Sequence, residues 1–369
     1  MIKGYYITRE SYDSLKDKTI GVAKKISDQL DYFNSLKDVQ CELLSFYPNV
    51  PKLKRLSVYF TNTFYDEYLE KVAKVNFIYV RHFFPITKSL ISFFKKIKKR
   101  YPHCQIFYEI PTFPYGKEAS SFKQKISLLI DVFYRRKLKK YIDHLLTFTV
   151  DKEIFGMKTL HIENGIDISR VSLAGYDETK KDEIHIIAVA NFNFWHGYDR
   201  LIEGLHNYYK IPRSKKVFID FVGDDNAGYK ALVDKYSLNE YVKLHGALFG
   251  KNLDNVFNNK DIAFSSLGDH RRNLFGMTSA LKSREYLARG LPIVTSIRID
   301  IIPDDFKYCL RVPEDDSPID IEKVVDFVTN LYSNNKRAAI TKEIRSFAEK
   351  YCSMEYAMKN VKEYIMYYK

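Results

Sequence analysis

The chain has 369 residues, of which 46% are hydrophobic and 28% charged, with 15 Gly and 11 Pro. That length exceeds one ordinary domain and suits two with cores of their own, and the composition excludes a fibrous or disordered chain. The formal charge of +13 is unevenly placed: residues 1–170 hold 30 Lys and Arg against 18 Asp and Glu, and residues 171–369 hold 29 against 28.

A basic first half points to nucleic acid, anionic lipid or phosphorylated substrates. The opening MIKGYYITRESYD has no apolar run after its first cation, and no segment approaches the roughly 18 apolar residues of a membrane span. Cys41, Cys104, Cys309 and Cys352 lie far apart with no C-x-x-C pair, which indicates neither a disulfide framework nor a zinc site. The expectation is a cytoplasmic protein without a membrane anchor.

In chain order, the first half alternates apolar, β-rich runs with helix-period segments. Strands are expected at KGYYIT (Lys3 to Thr8), CELLSFY, FIYVR, QIFYEI and HLLTFT, and helices near Val22 to Asn34, Lys88 to Lys99 and Phe122 to Tyr141. Strands separated by helices imply a parallel sheet covered on both faces. After TLHIE, the polar and turn-rich stretch from Glu163 to Glu183 reads as an interdomain linker, with Asn164-Gly165 as a tight turn.

The pattern then restarts: strand IHIIAVA, a helix from Tyr198 to Tyr209, strand KVFIDFVG, a helix from Gly228 to Tyr236, strand YVKLHG, a short helix, strand DIAFSSL, a helix from Ala280 to Arg289, and strand LPIVTS. A second α/β sheet follows from that order. Three helical segments close the chain, near Ile319 to Asn334, Thr341 to Tyr351 and Met354 to Tyr368. With no strand left to cover, the terminal helix is expected to return to the first domain.

Glycines stand where phosphate-binding backbone is needed. Gly21 precedes the first long helix, where a helix N-terminus meets bare backbone; a plain turn glycine is the other reading. In VANFNFWHGYDRLIEGL, His196 and Gly197 fall at a strand-to-helix turn, so free N–H groups there face an anion or the histidine is an ordinary loop residue. FVGDDNAG, with Gly223, and LHGALFG, with Gly246 and Ala247, are loops at the carboxyl ends of strands, the edge where open α/β sheets take ligands. On the helix after Met277, Lys282 and Glu285 share one face. A lysine there neutralises phosphate and a carboxylate accepts both hydroxyls of a ribose, or the two form a surface salt bridge.

The segment Ala280 to Val294, ALKSREYLARGLPIV, resembles the donor-site segment of retaining GT-B glycosyltransferases of family 4 ("group 1"). Glu285 matches the second of that family's two glutamates, and Arg289-Gly290-Leu291-Pro292 matches the strand entry that follows it. NGID, WHGYDRLIEGL, FVGD, LHGAL and LKSREYLARGLP occur in the family's order, and in the first half GVAKKI and YEIPTFPY are similar to a bacterial polysaccharide-assembly branch. Three positions depart from the family: Met277 replaces the first glutamate, and Asn191 and His196 stand where phosphate-binding Arg and Lys are usual.

The resemblance implies two Rossmann-like domains with parallel sheets facing a cleft, an acceptor domain over 1–170, a nucleotide-sugar domain over 171–345, and a C-terminal helix, 346–369, on the first domain. It implies transfer of a hexose from a nucleotide-sugar, a UDP-sugar first among them, to a glycan or polyprenyl-linked acceptor in capsule or exopolysaccharide synthesis, with retention. The donor-binding set is then Gly21, His196, Gly197, Gly223, Gly246, Ala247, Ser279, Leu281, Lys282 and Glu285, with Lys282, Arg271 and Glu109 at the chemistry and Arg272 nearby. Glu109 orients sugar or acceptor, or holds the PTFPY turn. The sequence contains no Asp-x-Asp, so no cofactor and no metal are expected.

SLISFFKKIKKR (Ser89 to Arg100) places Leu90, Phe94 and Ile97 on one stripe beside five cations, and RRKLKK follows at Arg135 to Lys140. Such a helix lies on an anionic membrane at the inner face of the cell membrane, or turns its stripe to the core. The competing functional readings are a GT-B scaffold without activity, suggested by Met277 and Asn191, a basic nucleic-acid-binding protein, for which no recognition motif is present, and an epimerase on the same fold, for which no acid/base pair is apparent.

Overall fold

The computed structural model describes residues 1–16, 21–46, 55–72, 75–111, 113–115, 121–177, 182–272, 276–333 and 336–367. Part of the expected linker, 178–181, lies outside the described residues, as do 112 in the PTFPY turn, 273–275 ahead of Met277 and the terminal 368–369. The chain divides into two units, Met1–Glu163 with Ala357–Lys369, and Asn164–Tyr356.

The first unit contains β1 (Ile2–Thr8), β2 (Val39–Ser45), β3 (Phe77–Arg81), β4 (Gln105–Ile110), β5 (His144–Thr147), β6 (Glu153–Ile154) and β7 (Met157–His161). They form one sheet in the order β2-β1-β3-β4-β5-β7-β6, parallel except for the β6–β7 pair. Strands covered on both faces read as unbroken apolar runs, and FIYVR in β3 is buried at every residue but the last. Helices α1 (Gly21–Ser35), α2 (Lys88–Arg100) and α3 (Phe122–Arg135) connect them. The helix expected to continue to Tyr141 ends at Arg135 and is followed by a 3₁₀ turn over Leu138–Lys140.

The Thr87 hydroxyl caps α2 by accepting from Leu90 N, and Leu90, Phe94 and Ile97 are buried in the core of this unit. The apolar stripe read as a membrane face therefore faces the sheet. Three of its five cations are held by neighbours, Lys96 by Asp66, Lys98 by Asp143 and Arg100 by Glu70, while Lys95 and Lys99 are exposed.

The second unit contains β8 (Glu183–Val189), β9 (Lys216–Val222), β10 (Val242–Leu244), β11 (Ile262–Phe264), β12 (Met277–Thr278), β13 (Ile293–Thr295), β14 (Arg298–Ile299) and β15 (Cys309–Arg311). Six of them form an all-parallel sheet in the order β10-β9-β8-β11-β13-β15, and β12 pairs with β14 separately. Helices α4 (Tyr198–Tyr208), α5 (Tyr229–Lys235), α6 (Gly250–Phe257), α7 (Leu281–Ala288), α8 (Ile321–Ser333) and α9 (Arg337–Tyr351) lie between and after these strands. Among the described residues no helix is long and apolar enough to cross a membrane.

The units divide at 163/164 and 356/357, against sequence-expected boundaries at 170/171 and 345/346. Arg345 on α9 donates to the carbonyls of Ile168, Val171 and Ala288, and Ile166 N donates to Cys352 O. Those bonds fasten 164–171 and α9 to the second unit. The last helix, α10 (Lys359–Met366), belongs to the first unit: Asn360 donates to His161 O at 2.9 Å, and the Tyr364 ring lies 4.1 Å from that of His144.

Gly204 lets α4 approach the strand-like entry to α8. A Cβ there would stand 2.1 Å from Ile319 O. Glycine inside a helix ordinarily costs roughly 0.5–1 kcal/mol relative to alanine, but overpacking of this kind costs about 1–3 kcal/mol. Gly204→Ala is expected to lower stability in urea denaturation; a gain would mean that α4 and the 319 segment do not meet so closely.

Candidate functional site

The strand order of the second sheet reverses at β8: β9 lies on one side of it and β11 on the other. Connections leaving β8 and β11 therefore part at the carboxyl edge and open a crevice, the place where doubly wound sheets take ligands. From β8 the chain runs into a 3₁₀ turn, Phe194–His196, that ends on Gly197 in the left-handed conformation, φ 68°. A Cβ on Gly197 would approach Gly268 N to 2.7 Å, and Leu267 N donates to His196 O at 2.8 Å. The loops after β8 and β11 thus touch backbone to backbone.

Arg200 fixes that contact from below. It is buried in α4 and donates to the carbonyls of Leu267, Pro313 and Ser317. The β9 loop joins through Gly223, φ 136°, whose N donates to Gly246 O at 2.8 Å and whose missing Cβ would lie 1.7 Å from Ala190 O. A Cβ on Gly246, φ 69°, would meet nothing within 4 Å, and Ala247 beside it is exposed. A rim of glycine backbone therefore lines the carboxyl edge from β8 to β10.

The α7 end of the site is anchored rigidly. Tyr286 OH accepts from Val189 N at 2.8 Å, Ser283 bonds Ser265, and buried Arg284 donates to both oxygens of Asp300. Ser279 accepts both Asn164 N and Asn164 Nδ2, and Leu281 packs on the core. From the first turn of this helix Lys282 reaches Ser266 Oγ at 3.3 Å and lies 5.7 Å from the Tyr198 ring centroid. Burial draws its pKa down to about 8, with Asp269 opposing and Arg272 assisting. Among the described residues no carboxylate is within ion-pair distance of Lys282.

His196 is likewise shifted, to about 3, by burial first and then by the Lys282 and Arg272 charges. Its Nδ1 accepts from Asn193 N at 3.0 Å, so the ring is neutral and Nε2 carries the proton. The histidine offers hydrogen-bond donation without charge.

Other expected residues are engaged differently. Arg271, expected at the diphosphate, clasps both oxygens of Asp199 at 2.8 Å and also binds Asp316 and Phe194 O. Arg272 pairs with buried Asp269. Glu285 accepts from Arg289, which also binds Asp254. Gly21 opens α1 with free space around it. Sequence reasoning passed over Gly268, Ser266 and Arg200; the run SSLGD after a strand is the visible signal of the first two, and no local signal marks Arg200. Among the described residues no three His, Cys, Asp or Glu side chains gather as a metal site.

Glu109, expected to face a cleft, is wholly buried at the end of β4. Its oxygens accept from Lys25 at 3.1 Å, Arg81 at 3.0 Å, Gln29 at 2.9 Å and Tyr79 at 2.5 Å. Burial alone would raise its pKa; the two cations and the two neutral donors overcome that and bring it to about 2. Surrounded in this way, the carboxylate holds α1, β3 and β4 together and has no access to a substrate.

Two doubly wound units, one ordered 2-1-3-4-5 along its main strands and the other 3-2-1-4-5-6, with glycine loops at the carboxyl edge, give the GT-B fold. No protein-family model and no curated protein matches the sequence. The fold is similar to that of solved structures: a glycosyltransferase from Rickettsia africae, TM-score 0.63, 12% identical over 99% of this chain and 98% of that one; HepE from Anabaena in complex with UDP, TM-score 0.61, 13% identical over all of both chains; and the lipopolysaccharide outer core galactosyltransferase WaaB, TM-score 0.58, 14% identical over all of both.

Because the folded pKa of Glu109 lies below its ordinary 4.5, its contribution to stability is full above pH 4.5 and is lost as pH falls toward 2. Glu109→Gln removes the carboxylate that pairs with both Lys25 and Arg81 and is expected to cost roughly 3 kcal/mol at neutral pH. The gap from wild type should close between pH 4.5 and 2 in chemical denaturation; a gap independent of pH would refute the ionised carboxylate.

Proposed function

We propose that the chain is a glycosyltransferase that moves a hexose-type sugar from a nucleotide-sugar, a UDP-sugar first among candidates, to a glycan or polyprenyl-linked acceptor in cell-surface polysaccharide synthesis, with retention and without metal. The carrying observation is Lys282. Arg271, Arg272, Arg284 and Arg289 all face carboxylates, whereas the Lys282 ammonium has no ion-pair partner among the described residues and acts electrostatically on neutral His196 at the start of α4. A half-buried cation without a counter-charge is a costly arrangement that an anionic ligand relieves.

In this reading the C1–O bond to the diphosphate breaks and a C1–O bond to the acceptor forms on the same face. The acceptor proton passes to the departing β-phosphate, so no protein nucleophile is required. Charge grows on that phosphate as the sugar leaves, where a fixed ammonium and fixed N–H donors stabilise it without solvent reorganisation. Lys282 supplies the charge, His196 Nε2 and the glycine rim supply donors, and Glu285 meets the ribose by exchanging its bond to Arg289. UDP in HepE and the galactosyltransferase activity named for WaaB support the donor class.

Calorimetry with UDP, GDP and ADP tests this. One nucleotide, UDP, is expected to bind, with Lys282→Ala weakening it at least tenfold. Affinity should hold below pH 8 and fall above it as Lys282 loses its proton, and Lys282→Arg should flatten that decline. Absence of binding by any of the three would overturn the transferase reading and leave a scaffold that keeps the fold.

A further inference from the structure

Helix α3 carries a large apolar face that, among the described residues, the core does not cover. Phe122 is 80% exposed, Leu129 71% and Phe133 63%, with Ile126 also exposed. At 3.6 residues per turn these four fall within a sector about 60° wide. The opposite side of the helix is what seats it: Asp131 is wholly buried, accepting from Ile86 N at 2.8 Å and Tyr115 OH at 2.7 Å, while Leu128 and Tyr134 pack on the core. The apolar stripe is thus held outward by a buried polar anchor.

Charge is arranged around the stripe in the same sense. Between Ser121 and Lys140 there are seven Lys or Arg and one acid, Asp131, so the outward face has no carboxylate. Lys123 and Lys125 are exposed beside Phe122 and Ile126, and at the far end Lys137 holds its ammonium 4.3 Å from the Phe133 ring centroid. Cations at the flanks of an apolar ridge match headgroups above acyl chains.

We propose that α3 is a membrane-docking surface whose partner is an anionic bilayer, with Phe122, Ile126, Leu129 and Phe133 entering the headgroup boundary and the flanking cations meeting acidic headgroups. This deepens the transferase reading by naming where its lipid-linked acceptor would be met, and it replaces α2 as the membrane element. Pairing with a second copy would set two cationic faces against each other, which disfavours it. A bilayer needs no matching pocket for such a ridge.

Flotation of the full chain with vesicles of phosphatidylcholine alone, and of phosphatidylcholine with phosphatidylglycerol, tests the proposal. Binding is expected only to the anionic vesicles, and Leu129→Ser with Phe133→Ser should reduce it at least tenfold while leaving the melting temperature and UDP binding unchanged. A charge-reversed pair, Lys123→Glu with Lys125→Glu, should reduce it as well. No binding to anionic vesicles, equal binding by the serine variant, or a dimer in sedimentation that the serine variant abolishes would each overturn the surface. UDP calorimetry on the same preparations separates this outcome from failure of the donor site.

Discussion

The site in the second unit depends on one backbone contact, Gly197 against Gly268. The two loops leave the adjacent parallel strands β8 and β11, and without side chains at either glycine they close to within van der Waals distance of each other. Leu267 N on His196 O fixes their register. Arg200 extends the arrangement, since one guanidinium gathers the carbonyls of Leu267, Pro313 and Ser317. Separate contacts complete the site: Tyr286, Ser283 and Arg284 hold the helix of Lys282, Asn193 N sets the tautomer of His196, and Gly223 holds the loop of Gly246.

Electrostatic pairing then separates, among the described residues of the site, the arginines held by carboxylates from Lys282, which is not so held. Arginines suit buried pairs because their forked donors meet carboxylates two at a time, and Arg284 with Asp300 and Arg271 with Asp199 are of that kind. A lysine is a compact charge whose pKa moves readily with burial, which is the behaviour of Lys282. Had Arg271 been the phosphate ligand, Asp199 and Asp316 would have been left facing each other across its vacated position.

Sequence patterning shows the strands of this fold plainly because both faces of each sheet are covered, and IHIIAVA or QIFYEI cannot be read as anything with a solvent side. Short edge elements are less legible: β15 is three residues, CLR, and the β6–β7 hairpin turns on Phe155 and Gly156, both at positive φ, with no alternation long enough to register. Within the site, Glu285 and Arg289 are neighbours by helical spacing alone. The Arg271–Asp199 pair joins positions 72 residues apart, and nothing in either local segment announces it. Glu109 illustrates the same limit from the other direction, since a lone carboxylate at a strand end looks catalytic until Lys25 and Arg81 arrive from separate elements.

The two basic helices of the first unit carry this point furthest. SLISFFKKIKKR and FKQKISLLIDVFYR both set apolar residues at helical spacing among cations, five with no acid in the first and three with one acid in the second, and periodicity alone assigns both the same behaviour. What separates them is a single acid. Asp131 lies opposite the apolar ridge of α3 and finds Ile86 N and Tyr115 OH inside the protein, so that helix is rotated with its ridge to solvent. The inward face of α2 has no such group and turns its Leu90–Phe94–Ile97 stripe to the sheet. Part of the +12 of residues 1–170 is thus placed in two ways: around α2, Asp66, Asp143 and Glu70 answer three of five cations, and around α3 cations face outward beside uncovered apolar surface.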